Sequence, residues 1–538
     1  MSSTAPTNFP RRRFLGYGGA GAAAVLLGTG TWSASTTAAM PRKSPDPFTL
    51  GVASGDPSAT GVALWTRLAP DPFAADGRGG MDRKPVRVHY QVACDEHFRR
   101  VVCRGSVVAV PELDHAVHPE LEGLEPNRCY WYRFRAGPHL SEVGRTKTTP
   151  DGRTMPRSLR FAFVSCQAWQ DGYFTAYDHL ACEDLDLVVH LGDYIYESGL
   201  KSNKRNIVLP SQFDGEAFDL GRYRLQYSLY KSERPLQRAH AAFPWLQTMD
   251  DHEVENNWAG DHSQPDREPD QDPVVFRRRR AAAFQAMYEN LPFRCAQLPS
   301  GPDVRLHRRI RYGRLADFTM LDTRQYRDRQ PCGGGGSADC SDRFGADRTM
   351  LGGKQKEWLL DGFSCSPARW QILGNQVTMA QTDRDPSPSR TYVWLDPWDG
   401  YVAERNEVLA EAEERGVRNL VVITGDRHTN YAVDLKRDYA DPGSSTVGAE
   451  FVGTSITSGG DGADMNDQGR AFLAANPHLK FFNFQRGYSR MTVTPQQCRN
   501  DFRVVPFVLQ QGAPVSTRAS FVVQDRIPGV QLDYPSLD

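Results

Sequence analysis

A chain of 538 residues is long enough for two domains, since one domain commonly takes roughly 100 to 200 residues. Hydrophobic residues at 39% and charged residues at 24% are ordinary for a soluble globular protein, which excludes a mainly disordered or fibrous chain. With 64 Lys+Arg against 65 Asp+Glu, no bulk field favours nucleic acid or an anionic membrane, so no nucleic-acid partner is indicated and an anionic substrate has to be captured locally.

The N-terminus reads as an export signal over 1–39. Arg11-Arg12-Arg13-Phe14-Leu15 precedes a Gly/Ala-rich run from Gly16 to Gly30, and small residues follow from Ser33 to Ala39. The paired arginines with Phe-Leu place it in the twin-arginine class, which implies that export machinery as a partner and an extracytoplasmic, secreted destination. A membrane anchor is the competing reading, against which the apolar run is short and glycine-rich. Ten cysteines in an exported chain suggest disulfides, and Cys94 with Cys103 and Cys332 with Cys340 are close enough in sequence to close small loops.

From Phe48 to about Thr149 the pattern is short and β-like. Gly61–Trp65, Val86–Tyr90, Val107–Val110 and Cys129–Phe134 alternate or run apolar between Gly/Pro/Asp turns, which predicts a small β-sandwich module over 46–149. A Thr, Pro, Asp, Gly and Arg cluster near Thr148 to Arg157 marks a boundary. Beyond it, Phe161–Ser165, Leu185–Leu191, Phe318–Leu321, Gln371–Leu373 and Leu420–Thr424 read as core strands, with further strands near Phe451–Ser458, Tyr488–Val493 and Phe521–Val523. Helices are expected over Phe276–Tyr288, Lys354–Leu360 and Val402–Arg415. Two sheets packed face to face with helices outside fit this α/β pattern over 157–525. Gly333 to Gly336 reads as a flexible surface loop.

Potential metal ligands stand where apolar strands stop. Phe161–Ser165 ends in Cys166. The strand through Leu191 ends in Gly192-Asp193-Tyr194-Ile195-Tyr196-Glu197, and that through Thr424 in Gly425-Asp426-Arg427-His428. A fourth cluster, Asp250-Asp251-His252-Glu253, follows what reads as a long helical stretch. Ends of buried strands are where α/β proteins gather ligands, and a glycine before the acid lets the backbone turn tightly toward an ion.

These residues resemble the calcineurin-like metallophosphatases and, within them, the alkaline phosphatase D (PhoD-like) family. Gly192-Asp193-x-x-Tyr196 is similar to the acid-plus-tyrosinate motif shared with purple acid phosphatases. Asp250-Asp251-His252-Glu253 stands where the superfamily has Gly-Asn-His-Glu or -Asp, Gly425-Asp426-Arg427-His428 where it has Gly-His-x-His, and Ser165-Cys166-Gln167 at its Asp-x-His. The resemblance implies a four-layer αββα sandwich behind a fibronectin/Ig-like β-module, and hydrolysis of small phosphate esters. Thiolate, phenolate and imidazole from Cys166, Tyr196 and His428 suit iron(III). Asp251, Asn375 and Asp426 supply oxygen where histidine is common in the superfamily, which suits Ca²⁺ ahead of Mg²⁺ or Mn²⁺. Asp193 can bridge the two ions. Metal-activated water would attack phosphorus, His252 would protonate the leaving alkoxide with Glu253 or Asp250 orienting its ring, and Arg427 would contact the phosphate or point away.

Each residue also has a structural reading. Cys166 alone suits a buried thiol or a disulfide partner, Asp250 and Asp251 can cap a helix at His252, and the Asn375 amide can satisfy a turn. Arg277 to Arg280 reads as a solvated helix face. Trp394 to Tyr401 either lines an entrance or covers the core. Two other functions compete: a phosphodiesterase or phospholipase D-like enzyme, for which a phospholipid is a candidate substrate, and an inactive metallophosphatase fold used for binding. Gly-x-Ser-x-Gly is absent, which disfavours a serine hydrolase.

Overall fold

Strands that are apolar at nearly every position need cover on both faces, and this chain has two sets of them. In the computed structural model, which describes residues 44–534 apart from Pro388 and Pro442, Leu159–Val164, Leu187–His190 and Pro244–Gln247 lie side by side and parallel. Antiparallel strands Arg486–Val493, Gln497–Val505, Ser516–Gln524 and Ile527–Tyr534 extend that sheet beyond Leu159–Val164. The second set, Ala316–Met320, Trp370–Asn375, Leu420–Thr424 and Thr446–Val452, is also parallel and forms the centre of a seven-stranded sheet. The expected export signal over 1–39 lies outside the described residues.

Alternation along each strand sends neighbouring side chains to opposite layers. Phe161, Phe163, Leu187 and Val189 share one core with Phe318, Ile372, Val421 and Ile423, so the sheets meet face to face. Phe161 and Phe318 cross edge to face with centroids 5.0 Å apart. Ala162, Val164 and Val188 pack instead with the helices Thr175–Leu180, Leu220–Lys231, Arg234–Ala242 and Pro273–Asn290. Leu420, Val422 and Val452 pack with Gly352–Cys365, Val402–Glu414 and Asp467–Ala475. The fold is mixed α/β.

The front strands join this frame by hydrogen bonds. Val52–Gly55 pairs in parallel with Pro244–Gln247 and antiparallel with Val62–Arg67, so both continue the large sheet. A five-stranded sheet containing Val86–Ala93, Val101–Ala109 and Cys129–Ala136 packs its apolar face on them. Trp65, fully buried, donates its indole N–H to the Glu289 carbonyl at 3.0 Å. Arg67, also buried, pairs with Asp114 and donates to Asn290 Oδ1 at 2.9 Å.

Several local expectations change. The Asp250 cluster follows strand Pro244–Gln247 rather than a helix, and no helix begins at His252. Only Arg277 and Arg278 of the arginine run face solvent, while Arg279 turns inward to Glu216, Glu255 and Asp270. Cys332 and Cys340 form a disulfide, whereas Cys94 and Cys103 are free thiols. The glycine loop includes the short strand Gly336–Ser337, which pairs with Val393–Trp394.

Because the front strands share a sheet and buried side-chain bonds with the rest, residues 44–534 are expected to unfold as one cooperative unit. Calorimetry of the mature chain should show one transition, and Trp65→Ala should lower the stability of the whole by about 3–5 kcal/mol. Two separate transitions, with only the first moved by the substitution, would contradict this.

Candidate metal centre

Both sheets present the C-terminal ends of their parallel strands to one place. Val164 leads to Cys166, His190 to Asp193 and Gln247 to Asp250 and Asp251; from the other sheet, Thr424 leads to Asp426 and His428. The chain turns sharply at each end. Cys166, Asp193, Asp426 and His428 have φ of 58°, 57°, 62° and 55°, left-handed values that are unfavourable for side chains with a Cβ. Such strain persists where the surroundings over-determine it. Gly192 lies at φ 114°, and a Cβ there would stand 2.4 Å from both the Asp250 amide nitrogen and the Asp250 Cβ. The glycine therefore serves the close approach of two ligand-bearing loops, rather than an approach of backbone to an ion.

Two groups of ligand atoms result. Those of Cys166, Asp193 and His428 lie within 4.8 Å of one another, as do those of Asp193, Asp251 and His252. Asp193 belongs to both. The Tyr196 hydroxyl completes the first group: it donates to Asp193 Oδ2 at 2.9 Å, lies 3.1 Å from His428 Nε2 and accepts from Ser458 Oγ at 2.7 Å. Asp193 Oδ1, Asp250 Oδ2 and Asp251 Oδ1 are buried without a hydrogen-bond partner among the described residues. Asp426 is close enough to Asp250 and Asp251 to feel their charge but stands outside the two tight groups. The Asn375 amide donates to the Val377 carbonyl at 2.5 Å, and its oxygen accepts from the Trp398 indole at 3.2 Å. Arg427 hydrogen-bonds Tyr431, and its Nε has no hydrogen-bond partner among the described residues.

The supporting residues differ from those expected. His252 Nδ1 bonds Glu197 Oε2 at 2.7 Å, so neither Glu253 nor Asp250 orients its ring. Its other face stacks on Tyr196 with centroids 4.0 Å apart. Glu253 instead accepts the backbone N–H groups of Asp193, Tyr194 and Asp250 at 3.1, 2.6 and 2.8 Å, fastening two ligand loops together. Asp250 accepts from Arg324 Nε at 2.6 Å, and Arg324 also reaches Asp396 at 3.0 Å and lies 3.7 Å from Asp251. Glu197, Arg324 and Ser458 had no signal of their own in the sequence, because each meets the centre only through folding.

Burial drives the Cys166 thiol and Tyr196 phenol upward, and the Asp193 charge adds to both shifts. Burial raises the Asp193 and Asp250 carboxyls too, with Asp251 as a repelling neighbour, and pushes Asp426 up to about 6. Asp251 resists burial because Arg324 and His252 hold it below the usual carboxylate range. Burial opposes the charge on His252, but Glu197, Asp251 and Asp193 outweigh it and raise the imidazole. Two guanidinium groups, Arg324 and Arg427, do not balance this concentration of acids. Cations at Asp193 would satisfy the unpaired oxygens and favour the thiolate and phenolate forms, so the donor set fits metal ions.

Comparison with known proteins agrees with that chemistry. Residues 161–502 match the family described as PhoD-like phosphatase, and residues 33–150 match PhoD-like phosphatase, N-terminal domain. The chain belongs to the PhoD-like phosphatase family. It is 47% identical to alkaline phosphatase D of Bacillus subtilis (strain 168) over 529 residues, covering 97% of this chain and 89% of that protein. The solved structure described as that of PhoD is similar with a TM-score of 0.87 at 46% identity, covering 93% of this chain and 94% of that one. The chain is thus a phosphoric ester hydrolase, and the polar strand ends lie within the matched region.

Gly192→Ala tests whether loop contact builds the centre. The added methyl should destabilise the phosphatase by about 1–3 kcal/mol and strip its bound metal, read by thermal unfolding and elemental analysis. An unchanged melting point and metal content would show that the loops can part without consequence.

Proposed function

We propose that this phosphatase acts outside the cytoplasm on small phosphate esters through a mixed iron(III)–calcium centre. The reading places the centre in a four-layer αββα sandwich over 157–525, behind the β-rich module of 46–149. The observation that carries it is the pair of ligand groups hinged on Asp193. Cys166, Asp193, Tyr196 and His428 would hold iron(III), which thiolate and phenolate donors favour. Asp193, Asp251, Asp426 and the remaining lone pair of Asn375 Oδ1 would hold calcium, as all-oxygen sets do. Bound there, the cations supply an activated water at neutral pH and neutralise phosphate charge.

The remaining work falls to side chains. Glu197 takes His252 Nδ1, which leaves Nε2 to carry the proton that the leaving alkoxide needs. The same carboxylate, with Asp251, stabilises the imidazolium before transfer. Arg427, through its unpaired Nε, would offer a donor to a phosphate oxygen. Export by the twin-arginine route is proposed from Arg11-Arg12-Arg13-Phe14-Leu15, and the Cys332–Cys340 disulfide suits an oxidising destination. A diester such as a phospholipid would use the same groups, and matched mono- and diesters would rank the two substrate classes.

Elemental analysis of the mature protein should find iron and calcium, with a visible charge-transfer band that Tyr196→Phe abolishes. Zinc in place of iron would overturn the metal assignment. His252→Ala should retain both metals and lose about 10²–10⁴-fold in turnover on esters with poor leaving groups. The loss should be far smaller on nitrophenyl esters, whose leaving group needs no proton. Equal losses on both would remove His252 from the acid role.

A further inference from the structure

Most buried or half-buried arginines of this protein are answered by carboxylates: Arg324 by Asp250 and Asp396, Arg405 by Asp399, Arg279 by Glu216, Glu255 and Asp270. Arg384 is different. The ionisable groups that its charge meets are Arg427, Tyr431 and Tyr392, and no acid is among them. The acids beside it in sequence are turned to backbone: Asp383 Oδ1 accepts from the amides of Asp385 and Tyr392, and Asp385 Oδ1 accepts from that of Ser387. Among the described residues its side chain makes no ion pair and no hydrogen bond. The Arg427 charge, itself answered by Asp426 and Asp399, is thus the strongest that Arg384 meets, and no acid answers Arg384. Burial, reinforced by Arg427, lowers Arg384 to about 10, which leaves it charged at neutral pH.

Its placement is fixed by the neighbouring chain. The Arg384 amide donates to the Tyr392 carbonyl at 2.8 Å, and its guanidinium carbon lies 5.0 Å from the centroid of the Trp394 ring. Such contact holds a cation without neutralising it. Trp394 is 38% exposed and belongs to the strand Val393–Trp394, which pairs with the disulfide-closed loop. Two residues on, Asp396 receives Arg324 beside Asp251. Arg427 stands between Asp426 and His428. Through Trp394, two residues before Asp396, and through Arg427, Arg384 neighbours the metal centre.

We propose that Arg384, laid on Trp394 and facing Arg427, is a subsite for a second anionic group, so that the preferred substrates are phosphate esters whose leaving group carries a further negative charge. This rests on the phosphatase reading and adds the substrate class to it. A second phosphate would supply the counter-charge that Arg384 lacks, and its oxygens would take the planar guanidinium in two hydrogen bonds. An ester with a neutral leaving group would leave Arg384 unused.

The test compares ω-hydroxyalkyl phosphates with alkanediyl bisphosphates of matched chain length, on metal-loaded wild type, Arg384→Ala and the near-isosteric Arg384→Gln. The wild type should prefer the bisphosphates. Both variants should lose about tenfold in kcat/KM on them, mostly through KM, and keep wild-type values on the monophosphates. Intrinsic reactivity cancels in the variant-to-wild-type ratio. Equal losses on both series, or no loss on either, would overturn the proposal. Calorimetric binding of matched alkyl mono- and bisphosphonates reads the same selectivity without turnover. A wild type inactive on every ester that still binds bisphosphonates tighter through Arg384 would sink the hydrolase reading alone, and equal binding by variant and wild type would sink the subsite.

Discussion

The architecture of this protein's centre follows from crowding acidic groups into the buried space where two sheets end. Asp193, Asp250, Asp251 and Asp426, with the Cys166 thiol and Tyr196 phenol, converge where two sheets end, and the Arg324 and Arg427 guanidinium groups offset part of their charge. Buried carboxylates without counter-charge either take up protons or bind cations. Their unpaired oxygens and the upward shift of Asp193 and Asp250 express the first state, and metal binding relieves it. The same concentration of charge that makes the site a metal trap makes it unstable by itself.

The frame that resists this repulsion is the pair of face-to-face sheets. Phe161, Phe163, Val421 and Ile423 lock the sheets together just below the strand ends, so the loops carrying the ligands have rigid bases. Above that core, three devices hold the loops in place. Glu253 gathers the amides of Asp193, Tyr194 and Asp250; Gly192 lets the second loop touch the third; Ser458 ties Tyr196 to the Cys166 carbonyl. Left-handed backbone at four ligand positions is tolerated because these bonds leave the chain no relaxed alternative.

Charge is arranged by direction as well as amount. On one flank His252 is held between Glu197 and the Tyr196 ring, a cationic group surrounded by acids. Beyond Arg427, which Asp426 and Asp399 answer, Arg384 lies on the Trp394 ring with no acid of its own. In the reaction proposed above, a substrate anion would meet a proton source at His252 and an unanswered positive charge at Arg384. That asymmetry is what a neutral overall charge balance conceals.

Legibility in the sequence divided along the same physical line. Leu420–Thr424 was readable to the residue because four consecutive apolar side chains, ending in a threonine, demand burial on both faces. Polar residues directly after such strands marked Cys166, Asp193, Tyr196, Asp426 and His428 as one constellation. The helices Leu220–Lys231 and Arg234–Ala242 were read only as one long helical stretch without bounds, since buried Arg222, Arg224, Lys231 and Gln237 break the apolar stripe that marks a helix face. The Asp250 cluster was set after a helix because Pro244–Gln247 is too short to read as a strand. Local pattern determined the strands, their sharp ends and the ligand chemistry, because these depend on residues adjacent in the chain. Which carboxylate holds His252, which guanidinium balances Asp250 and how the front strands continue the large sheet were decided only by tertiary structure, because each joins residues from separate elements through contacts that no sequence spacing encodes.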